Sequence, residues 1–162
     1  MKPIMGIHSN VTSGEKTGGH AWISITENGA SKTYGLWPDS HPRTVDNGPG
    51  HDVRVGMEDN LKSAASRFYA LSDEQLQQLK VLVARSDTWN YTHNCSSWAS
   101  YVVRRVLRVD INADDAALLG VETPRELGTS IRMLEVKDPT NRMQPKDLGG
   151  QPQTSTASSS FL

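Results

Sequence analysis

A lone cysteine becomes a nucleophile only where its surroundings make a thiolate, and two short segments of this chain carry the parts for that. In Tyr91-Thr-His-Asn-Cys-Ser-Ser-Trp98 the single cysteine, Cys95, follows a turn-forming Asn94 and opens an amphipathic run. At a helix N-terminus the unpaired amides and the positive end of the macrodipole favour an anion, so the thiol pKa is expected to fall. The amides of Cys95 and Ser96 are then the expected oxyanion donors for a tetrahedral intermediate. In Gly18-Gly19-His20-Ala-Trp-Ile-Ser-Ile25, His20 opens an alternating strand and shares a face with Trp22 and Ser24. Imidazole is the side chain whose pKa suits it to make and keep a thiolate near neutral pH. Each residue has a plainer reading, an inert buried thiol for Cys95 and a hydrogen-bonded strand-end histidine for His20. Their joint presence favours nucleophile and base.

A third group usually orients the imidazole. If Asn28-Gly29 forms a two-residue turn, position 20 pairs with 37, and residues 33, 35, 37 and 39 share its face. Asp39 is then a diagonal neighbour of His20 and the expected third member. Trp22, Tyr34 and Trp37 are candidates for a substrate groove, although aromatics in such a hairpin more often pack a core. His41, His51 and His93 remain, and no cysteine or carboxylate spacing completes a zinc site around them. No metal and no cofactor is expected.

The elements that must position these residues are legible in outline. Residues 20–26 and 31–37 are rich in aromatic and β-branched types, and Glu27-Asn-Gly-Ala30 between them signals a β-hairpin. Residues 38–52 hold prolines, glycines and two histidines and read as a long exposed loop bordering a cleft. Residues 53–57 and 65–70 add two strands. Ser72-Asp-Glu-Gln75 is a capping box that starts a helix with Leu76, Leu79, Leu82 and Val83 on one face. From Cys95 to Val109, Trp98, Val102, Val103, Val106 and Leu107 fall at helical spacing, which predicts the central packed helix. Thr123-Pro-Arg-Glu126 caps a third helix running to about Leu134. After Lys137 the periodicity stops, so the chain reads as one catalytic domain, 1–137, and a polar, mobile tail, 138–162.

With 162 residues the chain has room for one domain with a core. Lys and Arg number 17 against 18 Asp and Glu, a net charge of −1 that disfavours nucleic acid and anionic membranes. The N-terminus lacks the apolar core of a signal peptide, and no apolar run is long enough to span a bilayer. The expectation is a protein made in the cytoplasm and not inserted in a membrane.

Taken together, His20 and Trp22 on a hairpin strand, followed 75 positions later by Asn94-Cys95-x-x-Trp98 on a helix, resemble the NlpC-type papain-like hydrolases in their circularly permuted form, in the order shared by the lecithin:retinol acyltransferase-like enzymes. The resemblance covers roughly residues 18–108. It implies an α+β fold with a small antiparallel sheet packed against a central helix that carries the cysteine at its N-terminus. It also implies a polar third residue on the second hairpin strand, which makes Thr33 and Tyr34 alternatives to Asp39. The implied activity is thiol hydrolysis of amide bonds. Compactness, the lone cysteine and the absent signal peptide are similar to peptidoglycan amidase effectors of type VI secretion. On that analogy the substrate is a peptidoglycan peptide, the site of action is a target cell's periplasm, reached through a dedicated secretion system, and the partner is a cognate immunity protein. A protease or deamidase toxin domain acting on protein, and a non-catalytic binding module, are the competing readings.

Overall fold

The structure is a computed structural model that describes residues 1–14 and 18–149. Its framework is a five-stranded antiparallel sheet of β1 (Ile4–Ser9), β2 (Ala21–Glu27), β3 (Ala30–Leu36), β4 (Val53–Val55) and β5 (Ala65–Ala70), in the order β4-β3-β2-β1-β5. Three helices, α1 (Asp73–Val83), α2 (Cys95–Leu107) and α3 (Pro124–Lys137), complete an α+β architecture. A two-stranded ribbon, β6 (Asp114–Asp115) with β7 (Val121–Glu122), lies between α2 and α3 in the chain.

The hairpin forms where Asn28-Gly29 places it. Both residues take positive φ, 51° and 83°, as a two-residue hairpin turn requires. Ser24 lies opposite Thr33 and Ile23 opposite Tyr34, so the register is the one the turn predicts. Alternation then sorts the side chains. Met5, Ile7, Ile23 and Ile25 enter the core with Leu79, Trp98, Val103 and Leu127 from the helices, while Gly6, His8, Trp22 and Ser24 occupy the other face.

The helix signals also hold in detail. Ser72 and Gln75 form both bonds of the capping box on α1, and Thr123 caps α3 ahead of Pro124. Asn94 caps α2, its side chain accepting from the amides of Ser96 and Ser97.

Three features depart from the sequence reading. The segment Ile4–Ser9, left unassigned above, is a strand paired on both sides, and four of its six residues are apolar or glycine in a run without clean alternation because both its faces are covered. The β6–β7 ribbon was likewise unforeseen. Residues 138–148, expected to trail as a tail, are held along β5: Lys146 exchanges backbone bonds with Phe68 and Ala70, and Arg67 binds Glu135 and Asp138. The rest of the expected tail, 150–162, lies outside the described residues. Among the described residues no helix is long and apolar enough to cross a membrane.

Candidate functional site

The start of β2 and the start of α2 meet at one end of the sheet. Cys95 is the first residue of α2 and is buried in the core cluster, beside Ala21 at the head of β2. His20 directly precedes β2, and its backbone is clamped in both directions by Asn10, whose side chain accepts the His20 N–H at 2.7 Å and whose own N–H donates to the His20 carbonyl at 3.1 Å. Gly19 before it takes φ +126°, and a Cβ there would lie 2.7 Å from the Val11 side chain. Glycine is what lets the chain turn into the strand against that wall.

The His20 imidazole joins two groups. It interacts with the Cys95 side chain, and its Nε2 lies 2.8 Å from Oε1 of Glu58. Glu58 sits in the turn after β4, with its side chain wholly buried. Its Oε1 also accepts the indole N–H of Trp37, while Oε2 has no hydrogen-bond partner among the described residues. The indole of Trp37 lies against the imidazole, ring centroids 3.9 Å apart, and Trp22 stacks on it from the other strand at 6.0 Å. A buried imidazole between two indoles is in a setting that favours its cation. Gly35 makes room for this cluster: a Cβ there would lie 2.0 Å from Glu58 Oε1 and 2.7 Å from His20 Nε2.

The electrostatics follow from those contacts. Burial opposes the His20 cation, but the hydrogen bonds and negative charges of Cys95 and Glu58 outweigh it and raise the imidazole pKa from 6.5 to about 9. Burial likewise opposes the Cys95 thiolate. The hydrogen bond and charge of His20, the Ala21 amide and the Ser96 hydroxyl more than offset it, so the thiol titrates below its ordinary range. The arrangement holds a thiolate–imidazolium pair with a carboxylate behind the imidazole. Such a pair attacks a carbonyl through sulfur and returns a proton to the leaving group.

The structure thus brings Cys95 and His20 together, and it corrects the surrounding assignments. Asp39 does not reach the imidazole. Its carboxylate is taken by the Arg54 guanidinium of β4 and by the Asn47 amide at 3.2 Å. Thr33 donates to Asp59 at 2.9 Å, and Tyr34 points to the opposite face of the sheet, half-buried against the core. Neither touches His20. Trp22 and Trp37, at 3% and 5% exposure, wall the imidazole and are too buried to line a groove. The Ser96 amide donates to Asn94 at 2.9 Å, so this oxyanion donor is already engaged by the cap.

Glu58 was missed because no local pattern marks it; a carboxylate in Gly56-Met-Glu-Asp-Asn60 reads as a solvated turn. Of the other histidines, His8 is buried, bonded to Ser66 and Ser24 at 2.8 Å each, and His93 bonds Asp87 at 2.8 Å. Among the described residues no group of three or more His, Cys, Asp and Glu side chains is arranged to hold a metal ion.

No family model, no curated protein and no solved structure matches the chain.

Proposed function

We propose that the protein is a thiol hydrolase of amide bonds, with Cys95 as nucleophile, His20 as base and general acid, and Glu58 as the carboxylate that orients the imidazole. The observation that carries this reading is the buried line Cys95–His20–Glu58, with 2.8 Å between imidazole and carboxylate, at a helix N-terminus. A merely structural cysteine gains nothing from an imidazolium held beside it, and a wholly buried carboxylate behind that imidazole is costly to desolvate, an arrangement typical of functional sites. The reaction is attack of the thiolate on the carbonyl carbon, transfer of the His20 proton to the departing amine, and hydrolysis of the thioester by a water that His20 deprotonates. The order of these residues, with histidine strand before cysteine helix, supports a permuted papain-like fold of the NlpC type.

The substrate in this reading is a peptide amide of peptidoglycan, and the protein is an antibacterial effector released by a dedicated secretion system into a target cell's periplasm. A cognate immunity protein covering the cleft is its partner. The test is incubation of wild type and Cys95→Ala with purified peptidoglycan, followed by mass analysis of the released fragments. New peptide termini from the wild type alone support the reading, and identical fragment patterns end it.

A further inference from the structure

The loop after β3, expected as an exposed border of a cleft, is cross-braced by its own hydrogen bonds. Thr44 Oγ1 lies 2.8–3.0 Å from the carbonyl oxygens of Pro38, Asp39 and His41. The backbone closes two successive turns, His41 N–H to Pro38 at 3.1 Å and Thr44 N–H to His41 at 2.9 Å. Asp39 ties the loop to β4 through Arg54, which also donates to the Val45 carbonyl at 2.8 Å, and Asn47 reaches the His51 carbonyl at 2.9 Å. So much bracing fixes whatever the loop presents.

What it presents is His41. Its ring stands edge-to-face against Trp37, centroids 4.7 Å apart, on the indole that covers His20. Those contacts put the His41 ring within about 9 Å of the His20 ring, a span of about three residues of extended chain at roughly 3.3 Å each. Its tautomer is also set. Nδ1 accepts the Arg43 N–H at 3.1 Å, so in the neutral ring the proton is on Nε2. Burial, then the charges of His20 and Arg43, hold its pKa below the ordinary value and keep it neutral. Nε2–H has no partner among the described residues. A fixed donor flanked by cationic groups repels ammonium groups and suits an oxygen acceptor.

The geometry points to His41 as a substrate-binding residue, its Nε2–H donating to a backbone carbonyl oxygen of a peptide substrate two or three residues from the bond that Cys95 attacks. The identity of that substrate rests on the hydrolase reading above; the binding contact can be tested apart from it. The probe is a cross-linked muropeptide dimer prepared from peptidoglycan, turned over by wild type, His41→Phe and His41→Gln. Phe keeps a ring against Trp37 but lacks the donor, whereas Gln restores one. Loss of one neutral hydrogen bond is expected to raise KM about fivefold to tenfold in His41→Phe, with kcat little changed and Gln near wild type. The pH profile of Cys95 alkylation should be the same in all three. Wild-type KM in His41→Phe, or an altered alkylation profile, would overturn the inference, the second by showing that His41 acts through His20. If the Phe ring disturbs the loop, His41→Leu makes the same comparison. Should wild type leave the dimer intact, the hydrolase reading fails on its own. Calorimetric binding of the dimer to Cys95→Ala and to Cys95→Ala/His41→Phe then decides: weaker binding by the double variant sustains the contact, and equal or undetectable binding ends it.

Discussion

Glu58 has no side-chain exposure, and a carboxylate removed from water has to find its partners inside the protein. It finds them in His20 and Trp37, both on the same oxygen, so the Trp37 N–H fixes which way the carboxylate faces. Replacing Glu58 with Gln keeps the shape and removes the charge. The onset of Cys95 alkylation by iodoacetamide should then move up towards that of an ordinary thiol, and the proposed peptidoglycan cleavage should fall at least about tenfold, its alkaline limit moving down from about pH 9. In the wild type the sign is fixed by the raised imidazole pKa: the contribution of His20 protonation to stability is fully present below pH 6.5 and is lost as the pH rises through about 9. Cys95 should accordingly alkylate faster at pH 6 than a free thiol does, and an ordinary thiol profile would count against the pair. At this scale the sequence showed both charged partners, because a helix start and a strand start leave local marks. The third was invisible because no local pattern marks Glu58, and Asp39, which the register had placed on the correct face, is bound by Arg54 instead.

The elements are where the sequence was most informative, because caps and turns are short-range devices. The Asn28-Gly29 hairpin and the three capped helices stand where their signals lie. Strand β1 escaped because a strand covered on both faces has no alternation to read. Two substitutions test what the elements do for the site. Asn94→Ala removes an acceptor for two α2 amides and a donor to the Glu122 carbonyl, and should cost about 1–2 kcal/mol in denaturant unfolding. Gly35→Ala should leave the sheet paired but push the carboxylate off the imidazole. Loss of cleavage and of acid-pH alkylation, with far-UV circular dichroism unchanged, is the expected outcome.

Across the whole molecule, the face of the sheet turned away from the helices carries a second buried histidine. His8 is held neutral first by burial and then by the charge of Arg142, its pKa lowered to about 3. The unfolded chain binds this proton near pH 6.5 and the folded one refuses it until about pH 3, so stability must fall as the pH drops through that window, by up to about 1.4 kcal/mol per pH unit. Comparing the unfolding free energies of wild type and His8→Gln at pH 7 and pH 5 isolates the effect, and the variant should show the shallower dependence.

The chain order has its own consequence at this scale. His20 and Cys95 are separated by 75 positions, and no local element brings them together; they meet only when β1 has been enclosed between β2 and β5 and α2 has settled on β2. An unfolded chain therefore carries an ordinary thiol, slow to react at acid pH, and the folded chain a reactive one. The one cysteine is thus a built-in reporter of folding, its acid-pH reactivity marking the chains in which strand and helix have met.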